Sequence, residues 1–205
     1  MIISLLMIGL VLSGGFAWYM ETKRSGKAKI IALFATLILG FSFTLYIVTS
    51  PDSFTQLVLL TDVSWISVFN IRYMIALDNL SNLLLLLTFI LTVVAILISW
   101  REITRRQGFY YFNLLTTIAG IIGVFTAVDM FLFFFFWEVM LLPMTAMIAI
   151  WGHENRHFAA IKFFIFTQVS SLLMLIAIIL MAFTHKQQVG QLSFAYQDWL
   201  TLSLS

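Results

Sequence analysis

Six stretches of roughly twenty apolar residues run through this sequence, each long enough to cross a bilayer core about 30 Å thick as a helix. They lie at 1–20, 30–49, 79–100, 107–128, 130–151 and 163–184. Backbone polar groups in lipid must be paired within their own segment, so each stretch is predicted to be α-helical. The expected fold class is all-α: a polytopic integral membrane protein with six transmembrane helices in a single domain spanning 1–205. Composition agrees. Charged residues make up only 10% of the chain and mean hydropathy is +1.05, so too few polar side chains exist to cover a water-facing exterior. A nucleic-acid binder, a secreted disulfide scaffold and a disordered linker are excluded on this ground.

Basic residues set the expected orientation. Lys23, Arg24, Lys27, Lys29, Arg101, Arg105, Arg106, Arg156 and Lys162 fall between spans one and two, three and four, or five and six. Only Arg72 and Lys186 fall on the other side. The positive-inside rule makes the first side cytoplasmic and puts both termini outside. The first span lacks a basic leader and a clear cleavage site, so it is expected to be a mature span rather than a signal peptide.

The loop 50–78 is the long outer one. Trp65, Ser67, Phe69, Ile71 and Tyr73 alternate with Ile66, Val68, Asn70, Arg72 and Met74, a period of two that fits a strand or hairpin on the outer surface. The plainer alternative is an interfacial loop with aromatic anchors.

Glu138 is the residue that lipid physics singles out. It lies eight residues past Met130, about 12 Å along a helix, near the middle of the hydrocarbon. A central charge there costs at least about 2.5 kcal/mol. Its helical neighbours are Phe131, Phe134, Phe135, Leu141, Leu142 and Thr145, and only Thr145 carries a hydrogen-bonding group. A partner is therefore expected from water or another helix. Desolvation favours the protonated form of an acid and a nearby cation the ionised form, so an acid between those pressures exchanges a proton readily. The plain structural alternative is a neutral Glu acting as interhelical glue. Pro143 removes a hydrogen bond to the Val139 carbonyl and opens the backbone near the acid. Lys162 is a weaker candidate for the proton path, against an ordinary role snorkelling to headgroups. Asn113, Thr116 and Thr117 on span four, with Thr167, Gln168, Ser170 and Ser171 on span six, are candidates to line a hydrated path or simply to pack.

Redox and metal chemistry find no residues here. There is no cysteine for a disulfide, an iron–sulfur cluster or a thiolate zinc site. His153 and His157 have only Glu154 to complete a site, so no metal centre is expected. Glycine-rich phosphate motifs are absent. Asp78 and Asp129 flank spans, where helix capping accounts for them.

The run Phe133-Phe134-Phe135-Phe136-Trp137-Glu138-Val139-Met140-Leu141-Leu142-Pro143-Met144, closing with Trp151-Gly152, resembles the fifth helix of the antiporter-like membrane subunits of NADH-quinone oxidoreductase, respiratory complex I, in their chain M form. Lys162-Phe163-Phe164-Ile165-Phe166-Thr167-Gln168 and Leu172-Leu173-Met174-Leu175 resemble the sixth helix, and Ala76-Leu77-Asp78-Asn79-Leu80-Ser81 the start of the third. The resemblance implies the N-terminal portion of an antiporter-like bundle of about fourteen helices. It implies a proton-translocating subunit of the membrane arm, with Glu138 as the buried acid coupled to a lysine on a seventh helix. It also implies chains L and N as neighbours and a bacterial inner membrane as location. FMN, iron–sulfur clusters, NADH and quinone would belong to other subunits, with no cofactor in this chain. Six helices fall short of the family pattern, so a truncated product, a fragment of a split gene or a partial sequence is expected. Alternatives are a subunit of a multi-subunit cation/proton antiporter and a non-catalytic membrane scaffold.

Overall fold

Six long helices satisfy the backbone of the apolar stretches in a computed structural model, which describes residues 1–23, 26–49, 57–200 and 202. In chain order they are α1 (Ile2–Lys23), α2 (Ala28–Thr49), α3 (Asn79–Glu102), α4 (Gln107–Thr126), α5 (Met130–Trp151) and α6 (Arg156–Val189). Two strands, β1 (Val58–Ile66) and β2 (Ile71–Leu77), separate α2 from α3, and a short α7 (Tyr196–Trp199) follows α6. Each of the six helices is long and apolar enough to cross a membrane. Arg24, residues 50–56 of the outer loop and Ser203–Ser205 lie outside the described residues.

Helix α4 is the post around which the others stand. It packs against α1 on one side and α5 on another, and most of its side chains are buried. Three glycines make those approaches close: a Cβ on Gly108 would lie 2.7 Å from the Trp18 Cα, and one on Gly120 would lie 2.8 Å from the Met140 Cβ. A Cβ on Gly123 would collide with the Phe136 ring. Small residues that let backbones approach are the usual basis of helix association in lipid, where burial of apolar surface gives little drive. Helix α3 joins α2 through Phe43 and Phe89, with ring centroids 5.9 Å apart, and meets α4 through the Ser99 and Tyr111 hydroxyls at 3.2 Å.

The apolar stretches and the helices do not end together. Helix α6 extends beyond 163–184 at both ends, about 50 Å in all at 1.5 Å per residue. Hydropathy marks the limits of lipid, and polar residues such as Arg156 and Lys186 continue the helix beyond them. Helix α4 stops at Thr126, short of the stretch's end, because Ala127 leaves to bridge Ile75 and the Val128 N–H donates to the Met74 carbonyl at 3.0 Å.

The outer loop folds as an antiparallel hairpin, β1 with β2, broken by two register shifts. The alternating run 65–74 straddles its turn. Ser67–Phe69 form one 3-10 turn and Asn70, at φ 55°, closes it in the left-handed region that Asn tolerates well. The period of two continues through the turn because Val68 and Phe69 are exposed at the tip, where side-chain order carries no packing penalty. The hairpin lies across the bundle end. The Tyr73 hydroxyl donates to Ser4 Oγ at 3.0 Å, the Asn70 side chain donates to the Leu192 carbonyl at 2.7 Å, and Trp65 packs on Phe135 at 5.1 Å.

Asp129 ties this end together. It is 1% exposed, its Oδ1 accepts the N–H groups of Phe131 (2.9 Å) and Leu132 (3.0 Å), and its Oδ2 accepts the Arg72 N–H (3.1 Å). One carboxylate thus caps α5 and pins β2 beside it. Asp129→Ala strands these donors, and a loss of about 1–3 kcal/mol is expected, read as a lower melting temperature with faster exchange of the Arg72 and Leu132 amides. Burial pushes the Asp129 carboxyl above its ordinary 3.8, outweighing the pull of the Leu132, Arg72 and Phe131 N–H groups and the Arg72 charge. The fold holds that proton more tightly than the unfolded chain does. Stability therefore falls as pH climbs from 3.8 through the raised value. Asp129→Asn cannot ionise, so a melting series across the acid range should lose that part of the slope.

Candidate proton-relay site

Helix α5 fixes where the Glu138 carboxyl points. Phe136 and Met140 seat in the Gly123 and Gly120 notches of α4. At 100° per residue, Glu138 then lies on the opposite face of α5. The same face carries Phe131, two turns earlier, and Phe134, which pack into a cluster with Ile178 and Ala182 of α6. Glu138 therefore sits on the α6 side of the helix. Its side chain is half-buried, and Oε1 is shielded from solvent with no hydrogen-bond partner among the described residues. Thr145, the one polar neighbour on its own helix, donates instead to the Leu141 carbonyl at 2.8 Å.

Across from it, α6 presents the stripe Ser171, Ile178, Ala182 and His185, all buried. Seven residues on from Phe131, and seven back from Ile178, the antiparallel helices bring Glu138 and Ser171 to about the same depth. Ser171 Oγ donates to the Gln168 carbonyl at 3.0 Å. The hydroxyl retains acceptor capacity, so a protonated Glu138 or a water has a group to meet there. Sequence named Ser171 only as one of several polar residues on span six; the signal that separates it is its place in a buried stripe with Ile178, Ala182 and His185.

The other sequence candidates are distributed differently. Asn113, Thr116 and Thr117 donate to carbonyls one turn back on α4, those of Phe109, Phe112 and Asn113. Thr116 borders an apolar cavity of about 340 Å³ among α1, α4 and α5, on the far side of α5 from Glu138. Lys162 is exposed, with its Nζ 5.9 Å from the Phe166 ring centre. Nine residues from Ser171, it projects from the opposite face of α6 and about 13 Å nearer the basic end than Glu138. His153, Glu154 and His157 are exposed at that end. Among the described residues the single ion pair is Arg72 with Asp62 at 2.7 Å, so Glu138 is not salt-bridged.

Residues 127–202, which hold α5, α6 and both candidate relay residues, match the family described as NADH:quinone oxidoreductase/Mrp antiporter, transmembrane. Subunit M of NADH-quinone oxidoreductase from Escherichia coli K12 is 42% identical over 94% of this chain. Over residues 127–202 the chain carries this family's transmembrane domain. It spans about 40% of the length of that curated relative. Respiratory complex I from Thermus thermophilus with bound NADH contains a chain of the same fold, with TM-score 0.80 and 21% identity over 100% of this chain and 40% of that one. The Mrp complex from Dietzia sp. DQ12-45-1b gives TM-score 0.73 and 18% identity over 94% of this chain and 20% of its own. The matched region runs through α5, which carries Glu138, and on through α6, in a multi-pass membrane protein.

Proposed function

We propose that this chain is the N-terminal part of a proton-translocating membrane-arm subunit of NADH:quinone oxidoreductase, and that Glu138 is its proton-carrying acid. The observation that carries the proposal is a carboxyl at mid-depth of the family-matched segment with one oxygen shielded and unpartnered. A polar atom left so in a low-dielectric setting costs about 1–3 kcal/mol, which a proton, a water or a cation from a further helix would recover. The acid faces α6 and what lies beyond it, so its exchange partner would come from that side. Lys162, on the outer face of α6, would assist only through a group outside this segment.

In this reading the basic end of the bundle faces the cytoplasm of a bacterial cell and the hairpin end faces outward. The neighbours would be other membrane-arm subunits, chains L and N among them. NADH, FMN, the iron–sulfur clusters and quinone would be handled elsewhere in the complex. The family description also names Mrp antiporters, so assembly decides between the two. Co-purification of an FMN- and iron–sulfur-containing peripheral arm with the tagged full-length subunit is expected; Na⁺-dependent proton flux without such an arm would make the protein an antiporter subunit. Difference infrared spectroscopy separates relay from glue. The carboxyl band of Glu138 should change between resting and turnover states, and a band that stays constant would leave only a packing role.

A further inference from the structure

At the basic end of the bundle, the α3–α4 loop, the last turn of α5 and the first turn of α6 surround an open cleft of about 450 Å³. Arg105, Arg106, Arg156 and His157 line it, and Glu102 is the acidic residue in its wall. The rims are tied together: the Trp151 indole N–H donates to the Arg105 carbonyl at 2.9 Å, and the Arg156 guanidinium to the Ile150 carbonyl at 3.2 Å. None of the three guanidinium groups forms an ion pair with a carboxylate among the described residues. The N-termini of α4 and α6 adjoin the cleft without side-chain caps, so the positive ends of both helix dipoles add to its field.

Three like charges around one concavity repel, and an anion relieves that repulsion. Guanidinium forks match phosphate oxygens pairwise. Position then selects the source of the phosphate. The cleft lies where α5 leaves the hydrocarbon, at the depth of Trp151, an interfacial residue by its amphipathic ring. Exposed Phe158, Ile161 and Ile165 make the outer face of α6 apolar from just below the cleft, on the side turned away from Arg156. A phosphate held at this depth has the hydrocarbon directly beneath it, where attached acyl chains are accommodated. We infer that this cleft is a binding site for the phosphate headgroup of an anionic membrane phospholipid, held by Arg105, Arg106 and Arg156.

The test uses the intact membrane complex carrying this chain, delipidated and titrated with phosphatidylglycerol or phosphatidylcholine under native mass spectrometry. Tighter retention of phosphatidylglycerol is expected, falling about tenfold or more in Arg105→Gln/Arg156→Gln as two charge-assisted contacts are lost. Equal retention of the two lipids, or unchanged retention in the double variant, would overturn the site. Inorganic phosphate that displaces the lipid as effectively as phosphatidylglycerol itself would assign the cleft to a soluble anion and remove the lipid. A second measurement needs no variant: a headgroup-crosslinking phosphatidylglycerol should label peptides within 102–106 and 150–157 of the wild-type chain. Labelling confined to other segments would refute the inference.

Discussion

Glu138→Gln in the full-length subunit is expected to abolish proton pumping and to lower coupled quinone reduction by about two orders of magnitude, the usual yield of a positioned proton-transfer group. The amide keeps the size and the hydrogen-bonding capacity of the acid and removes its proton exchange. A role in packing would therefore survive the change almost untouched, and this is what makes the substitution decisive. Glu138→Asp retains the carboxyl but withdraws it by one methylene from the α6 side, so a milder loss is expected. Near-normal turnover and pumping in the Gln variant would remove Glu138 from the relay. Because Oε1 has no partner among the described residues, the loss should be mimicked by neutralising whichever group beyond α6 exchanges charge with it.

The second large effect is expected at Gly120. A Cβ there meets the Met140 Cβ at 2.8 Å, with the Met140 Cα and N at 3.4 Å, so part of the obstruction is backbone that cannot rotate away. Gly120→Val should push α5 off α4, at a cost of about 1–3 kcal/mol from overpacking alone. The shift also rotates or lifts the helix that aims Glu138, so activity should fall with stability. Gly15, on α1, has nothing within 4 Å of its would-be Cβ and serves as a control. Gly15→Ala is expected to be neutral or to raise the melting temperature slightly, since glycine inside a helix is entropically costly. Equal melting temperatures for Gly120→Val and wild type would show that the α4–α5 contact is looser than the structure has it.

Lipid explains which features were legible from composition and which were not. The spans and the depth of Glu138 follow from hydropathy, because each apolar run reports directly on where lipid begins and ends. The hairpin was legible as a period of two, yet the pattern ran on through residues 67–70 and hid the turn, since the exposed tip imposes no alternation of its own. The polar residues of α4 looked like companions of Glu138, and they turned out to lie across α5 from it. Nothing in their spacing could have told them apart from Ser171.

By itself the sequence determined that the chain crosses the membrane six times and strands one acid near the centre of the fifth helix, because a water-avoiding backbone and a costly charge leave few alternatives. Only the tertiary structure decided which way that acid faces. A helix apolar on every side has no amphipathic stripe to set its rotation. The rotation of α5 was fixed instead by shape, with Phe136 and Met140 seated in the glycine notches of α4 and Glu138 turned toward α6.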